Sequence, residues 1–366
     1  MKILLAGNIA NHAYFLAKIL RKNDIDVNIL IKNSPDLSED PKKFDSKIED
    51  YPEWVKFWNG NSKSWKRDVI KEMNRYDLVQ ASTELPIFSM FCRKPYVSLT
   101  TGSDIIELGH QNNIKSILLR IAWKRSKVVI VPGLYMMPSI KKLKIKNYIF
   151  LPLIWEYENQ VNEVNEVNEV NEVFTIFHPT RHDWIFKGND KLMRAFVELS
   201  KIKKNIHLIL IKAGNDFENS LKILRNCSSD KYTIIEKRLD AAKMSQIYKR
   251  CDVVADYFNL GSMGLIGQEA LRHGKPLINS VDNELFLKYY KEIPPILNAW
   301  SEKEILKHLI NLIENRELSK KIGNESKKWI KKHHDTNKII KKYIFLYDSI
   351  LNKKTTAVIQ NEMKWI

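Results

Sequence analysis

MKILLAGNIANHAYFLAKILRKNDIDVNILI, residues 1–31, holds a complete structural unit in its pattern. Lys2 to Ala6 is an apolar run of the length and composition of a buried strand. Gly7 and Asn8 break it, and Phe15, Leu16, Ile19 and Leu20 then recur at helical spacing as far as Asn23. Val27 to Ile31 is a second apolar run. Strand, helix and strand in this order make a right-handed crossover between two parallel strands.

The same order runs on. Residues 78–81, 96–99, 128–131 and 148–151 read as strands and residues 114–122 as a helix. The stretch between the second strand and Ser64 carries Pro35, Pro41, Pro52, Trp54 and Trp58, and reads as an irregular insertion. Residues 161–172 are four tandem copies of Val-Asn-Glu, acidic within a basic chain and without an apolar face of either period, and read as a solvated linker. The alternation then restarts, with strands at 174–177, 208–211, 233–235, 253–254 and 277–278 and helices at 190–199, 220–224, 244–248 and 265–272. Helices over 302–313 and 319–350 close the chain. The expected architecture is α/β, with two doubly wound Rossmann-like domains at 1–152 and 174–335, a linker at 153–173, and a crossover helix and tail at 336–366. Ligands are expected at the carboxyl ends of the strands, in a cleft between the domains.

A length of 366 residues exceeds what one hydrophobic core usually organises, and 44% hydrophobic with 28% charged residues is a globular composition. The net charge of +17 draws phosphates, whether on nucleic acid, anionic lipid or small molecules, although abundant Lys, Asn and Ile also suit simple compositional drift. Cys92, Cys227 and Cys251 have neither metal-ligand spacing nor an even count, and read as reduced thiols of a cytoplasmic protein. No apolar run approaches the roughly 20 residues that span a bilayer.

Three windows carry chemistry. Residues 255–278, ADYFNLGSMGLIGQEALRHGKPLI, run from a strand end through Gly261 and Gly264 into a helix that opens at Leu265, and such a helix start binds phosphate through its unpaired N–H groups. Glu269 inside that helix reads either as an acceptor for ribose hydroxyls or as a solvated helix carboxylate. Residues 177–190, FHPTRHDWIFKGND, place Arg181 and Lys187 after a strand end and just before a helix starting near Gly188. They suit the charge of a departing diphosphate, or are two surface cations among sixty. Residues 99–108, LTTGSDIIEL, hold Asp104, which either orients a sugar or acceptor hydroxyl or caps the next helix. Gly7, Asn8, Asn11 and His12 follow the first strand on the same expected cleft, His12 being equally suited to a helix face.

At these windows the chain resembles, over nearly its whole length, the retaining family 4 of GT-B glycosyltransferases, which build bacterial lipopolysaccharide, capsule and glycolipids. Gly264-Leu265, Glu269-Ala270 and Gly274-Lys275-Pro276 stand in register with the family's carboxyl-terminal signature. Arg181 and Lys187-Gly188 resemble its diphosphate element, and Pro152 the start of its hinge. The resemblance implies that Glu269 holds the donor ribose and that Arg181, Lys187 and helix N–H groups stabilise the leaving diphosphate while the acceptor hydroxyl attacks from the same face. No divalent ion or other cofactor is implied, and no metal ligands are assigned. Two positions depart from the pattern: Gly261 stands where the family has the first Glu of its signature, and Thr101 where it often has His.

The implied partners are a nucleotide-sugar donor and a glycan or lipid-linked acceptor. Residues 114–127 alternate Leu and Ile with Lys115, Arg120, Lys124 and Arg125, and Lys141, Lys142, Lys144 and Lys146 follow, a pattern that suits either an anionic membrane surface or a sheet-packing helix with a basic rim. No nucleic-acid motif or aromatic ladder accompanies the charge. The alternative reading is a non-catalytic nucleotide-binding homologue that acts as a partner protein.

Overall fold

The computed structural model describes residues 1–33, 39–44, 48–154, 172–236 and 239–365. Pro35 and the Val-Asn-Glu copies over 161–171 lie outside these. The chain divides into two compact units, Met1–Glu156 with His334–Ile366, and Tyr157–His333.

The first unit is built on seven parallel strands: β1 (Lys2–Ala6), β2 (Asp26–Lys32), β3 (Val55–Trp58), β4 (Leu78–Ser82), β5 (Tyr96–Leu99), β6 (Val128–Val131) and β7 (Tyr148–Phe150), in the order β3-β2-β1-β4-β5-β6-β7. The second holds six: β8 (Phe174–His178), β9 (Ile206–Ile211), β10 (Tyr232–Ile235), β11 (Val253–Ala255), β12 (Leu277–Asn279) and β13 (Leu297–Asn298), in the order β10-β9-β8-β11-β12-β13. Continuous apolar runs such as Val128 to Val131, fully buried, are what a parallel sheet covered on both faces requires. Each sheet reverses its winding once, between β1 and β4 and between β8 and β11. There the connections leave in opposite directions and open a crevice at the carboxyl ends.

The strand β13 and the helices Trp65–Met73 and Asn283–Tyr290 add to the sequence expectation, and two further elements differ from it. Residues 55–58 lie within the stretch read as irregular, yet form β3, which pairs with β2 from Ile29 opposite Val55 to Lys32 opposite Trp58. Stacking holds this edge strand: Trp58 lies on Trp65 at 4.9 Å and Trp54 on Tyr14 at 5.1 Å. The helix expected over 319–350 is two helices, Arg316–His333 and Thr336–Leu351, broken where the Asp335 side chain accepts from the Lys338 N–H at 2.8 Å and caps the second. The break coincides with the unit boundary. The second helix packs in the first unit, where the Tyr347 hydroxyl donates to Gln80 Oε1 at 2.8 Å. Among the described residues, no helix is long and apolar enough to cross a membrane.

Candidate functional site

In the second unit, the residues that follow β8 and β11 flank the winding reversal, and a buried histidine ties the two strand ends together. His178, at the end of β8, sets its Nδ1 2.7 Å from the Ala255 carbonyl at the end of β11 and its Nε2 2.8 Å from Asn189 Nδ2. A carbonyl only accepts and an amide NH2 only donates, so His178 carries its proton on Nδ1 and is neutral. Burial, with His182 and Lys187 nearby, pushes its pKa down to about 3. Asn189 also accepts the Asp183 N–H at 2.7 Å and donates to the Arg181 carbonyl at 3.3 Å, so it fixes the backbone that carries Arg181.

Asp183 caps the short helix Trp184–Lys187 by accepting from the Phe186 N–H, and Gly188 ends it in the left-handed region at φ 67°. The turn brings Lys187 back over the Tyr257 ring, its Nζ 4.7 Å from the centroid. Burial lowers the Lys187 pKa to about 8, Arg181 pushing the same way and Asp256 and Asp183 opposing. Asp256, wholly buried, is raised by burial to about 6 although Lys187, the Thr180 hydroxyl and the Gly267 N–H favour its charged form. Arg181 is exposed and lies 3.5 Å from Asp183 Oδ2.

The two windows of this unit meet. The Phe258 N–H donates to the Lys187 carbonyl at 2.8 Å, Asn259 Nδ2 donates to the carbonyls of Trp184 and Ile185 at 3.0 Å each, and Lys191 Nζ bonds Asn259 Oδ1 and the carbonyls of Phe258 and Trp300. Beyond Tyr257 stands Gly264: a Cβ there would lie 2.6 Å from the Tyr257 hydroxyl. Gly264 gives the helix Leu265–Arg272 no side-chain cap. Asp256 attracts the Gly267 N–H, leaving the Leu265 and Ile266 N–H groups to face the loop without a side-chain acceptor from the cap. Glu269 sits one turn on, its side chain only 15% exposed and 3.8 Å from Arg272 Nε. Burial raises it to about 7 against the pull of Arg272, so the reading of Glu269 as a solvated helix carboxylate does not hold.

The candidates of the first unit are more engaged. Gly7, at φ 89°, lets β1 approach β4 so closely that a Cβ would lie 2.4 Å from Ser82 Oγ. Asn8 spends its amide on the loop itself, donating to Asn11 Oδ1 and the Glu39 carbonyl and accepting the Tyr14 N–H. His12 is buried between the Ile154 carbonyl and the Tyr343 hydroxyl, both at 3.4 Å, and burial pushes its pKa down to about 4. Asp104 Oδ1 accepts the N–H groups of Thr101, Gly102 and Ile105 at 2.8–2.9 Å, which clamps the turn after β5, and burial raises its pKa to about 6. Of the sequence candidates, Gly7, Asn8 and Asp104 belong to the first unit and Arg181, Lys187, Gly264, Leu265 and Glu269 to the second.

No family model matches the chain. It is 28% identical over 172 residues to an uncharacterized glycosyltransferase, MJ1069, of Methanocaldococcus jannaschii, a stretch covering 46% of this chain and 43% of that protein. Its fold matches Anabaena HepE in complex with UDP-glucose at a TM-score of 0.73, with 16% identity over 95% of this chain and 100% of that one. The fold is GT-B. Sucrose-phosphate synthase of Thermosynechococcus elongatus shares it at a TM-score of 0.71, 12% identical over 97% of this chain and 100% of that one.

Within this GT-B chain, Gly261 is committed to glycine. Its φ of 63° lies in the left-handed region, and a Cβ would fall 2.9 Å from the Trp300 ring and 3.3 Å from Asp282 Cβ. Its N–H donates to Ser280 Oγ and its carbonyl accepts the Asp282 N–H, so the loop has no latitude to turn. Gly261→Ala is expected to destabilise the protein by about 1–2 kcal/mol through the left-handed backbone, with more if Trp300 must move. A melting temperature equal to that of the parent protein would disprove this.

Proposed function

We propose that the chain transfers a sugar from a UDP-sugar to a glycan or lipid-linked acceptor, with retention at the anomeric carbon, as a family 4 type enzyme of cell-surface polysaccharide or glycolipid synthesis. The observation that carries the reading is the meeting of Lys187, through Tyr257, with the uncapped start of the helix Leu265–Arg272. Two cations and two N–H donors in one loop cluster suit a diphosphate. Lys187 and Arg181 neutralise the charge that grows on it as the glycosidic bond lengthens, and the helix N–H groups take its oxygens. Glu269 accepts from the ribose hydroxyls, its burial keeping water out of that contact. In this scheme the charge is met by the protein's own groups, and no divalent ion is assigned a step. HepE, solved with UDP-glucose, supports UDP as the nucleotide.

Titration calorimetry with UDP, GDP and CMP, followed by an assay of nucleotide release from the matching sugar conjugates, tests this. UDP binding with release that depends on an acceptor is expected. Binding without turnover of any nucleotide-sugar would leave only a partner protein, and no binding at all would remove the reading. The affinity for UDP is further expected to peak between pH about 7 and about 8. Below that window Glu269 gains a proton and stops acting as a double acceptor; above it Lys187 loses its charge. An affinity that stays flat on both sides of the window would exclude these two groups from the contact.

A further inference from the structure

We propose that Trp300 carries the sugar of the donor, its indole face stacked on the apolar face of the hexose ring. The inference rests on the UDP-sugar reading above and names the residue that recognises the sugar in the same cluster of loops. In the second sheet β8, β11, β12 and β13 lie side by side, and Trp300 follows β13 by two residues, at the carboxyl edge where the other loops of the site begin. Lys191 ties these loops together: its Nζ bonds the Trp300 carbonyl at 2.6 Å, the Phe258 carbonyl at 3.2 Å and Asn259 Oδ1 at 2.5 Å. Asn259 in turn holds the carbonyls of Trp184 and Ile185, in the short helix that ends at Lys187. Trp300 is thus fixed to the segment that bears the proposed diphosphate cation. Its N–H donates to Glu304 Oε2 at 3.0 Å, so the backbone is held on both sides of the ring.

The ring itself faces the loop that leads into the helix Leu265–Arg272. A Cβ on Gly261 would lie 2.9 Å from Cη2 and 3.4 Å from Cζ2 of Trp300, so the indole stands in the space that a side chain at 261 would enter, and yet the residue stays 41% exposed. The order of groups says what comes to it. With the ribose at Glu269, one turn inside the helix, and the diphosphate at the helix start, the sugar on the far phosphate extends toward the loop before the helix, where Gly261 and Trp300 meet. Polar side chains are engaged there. Asn259 is spent on Lys191 and two carbonyls, Ser280 Oγ accepts the Gly261 N–H at 3.0 Å, and Asp282 caps the helix Asn283–Tyr290. A hexose offers hydroxyls around its rim and C–H bonds on its faces, and C–H bonds are drawn to the negative face of an indole. In a corner whose polar side chains are engaged, the exposed aromatic face is the surface left for the sugar.

Titration calorimetry of the full chain with UDP, UDP-glucose, UDP-galactose and UDP-N-acetylglucosamine tests this. The parent is expected to bind UDP and at least one of the three conjugates. Trp300→Ala is expected to raise the Kd of that conjugate roughly tenfold while leaving the Kd of UDP within about twofold, because only the sugar meets the ring. Trp300→Phe keeps an aromatic face and is expected to lose about threefold or less for the same conjugate, with UDP again unchanged. Trp300→Leu keeps apolar bulk against Gly261 without an aromatic face, so it is expected to lose as much as the alanine variant and guards against collapse of the loop. A ring that merely props the loop would weaken UDP and its conjugates together. Equal losses for UDP and the conjugate therefore overturn the proposal, as does a conjugate affinity that folded Trp300→Ala or Trp300→Leu retains. A parent that binds UDP but none of the conjugates overturns it too, whereas a parent that binds no UDP defeats the donor reading itself and this inference with it.

Discussion

Lys187→Ala is expected to weaken UDP binding by roughly ten- to a hundredfold and to slow turnover of a UDP-sugar by about a hundredfold or more. The ammonium lies over Tyr257 at 4.7 Å, in a site where burial has already lowered its pKa to about 8. Poor hydration there means that an incoming diphosphate displaces little water from it, so the charge acts at nearly full strength. Removing it also takes from Asp256 the cation that favours its charged form. Asp256, raised to about 6 by burial, would move further up and take a proton near neutrality, so some loss of melting temperature accompanies the variant. Lys187→Met, which keeps the length of the side chain, separates lost charge from lost packing. Arg181→Ala makes the useful contrast: its side chain is half exposed beside Asp183, so a similar loss of affinity with almost no change in melting temperature is expected. Calorimetric titration with UDP and a nucleotide-release assay read all three. An affinity for Lys187→Ala within twofold of the parent, measured on folded protein, would falsify the assignment of Lys187 to the diphosphate.

What the sequence disclosed follows from which forces act locally. Parallel strands are buried on both faces, so β1, β5 and β6 stand out as apolar runs and their limits are legible almost to the residue. β3 is an edge strand whose Lys56 and Phe57 face solvent, and its pairing with β2 comes from residues more than twenty positions away, which no local pattern announces. The break at Asp335 was hidden for a different reason. Ile339 and Ile340 follow Trp329 and Ile330 by ten residues, close to three helical turns, so the two apolar pairs read as one helix face across the polar stretch 331–338, and the capping aspartate is a weaker signal than that register.

The site divides in the same way. Arg181 and Lys187 were legible because a strand end, a short cationic segment and Gly188 lie close together in the chain. The residues that hold them are less so: Asn259, Thr180 and Asp256 act through contacts between distant segments, Asn189 bonds groups of its own window without any pattern that marks it, and only folding reveals that His178 joins β8 to β11. The burial of Glu269 is not legible in the sequence, because helix position alone does not say which side of the helix the neighbouring strand covers. Asp104, chosen for its chemistry, turns out to use one oxygen on three backbone N–H groups, a role written in the turn Thr101-Gly102-Ser103.

Gly214 lies outside the three windows of sequence that carry chemistry, yet its substitution is expected to be among the most damaging. Its φ of 95° is open only to glycine, and a Cβ would lie 2.2 Å from the carbonyl oxygen and 2.6 Å from the nitrogen of His182. Those are backbone atoms and cannot rotate aside. They belong to the segment between Arg181 and Lys187, which this region holds at several points. The His182 N–H donates to the Ala213 carbonyl at 2.7 Å, the Trp184 N–H to Asp216 Oδ2 at 2.9 Å, and the Trp184 indole N–H to Ser220 Oγ at 2.9 Å. Gly214→Ala therefore has to push the cationic loop off its anchor. About 1–2 kcal/mol is expected from the left-handed backbone and about 1–3 more from the clash, together with weaker UDP binding by whatever folded protein remains. Gly274→Ala is the matched control, because Gly274 also has a left-handed φ, 64°, and the atoms its Cβ would meet first belong to the flexible Lys327 side chain, Cε at 2.4 Å, which can swing clear. Calorimetric melting of both variants, with UDP titrations below the transition, decides the matter. A clearly larger loss for Gly214→Ala than for Gly274→Ala supports the anchor, and equal losses would mean that the loop yields and that Arg181 and Lys187 are not held from this side.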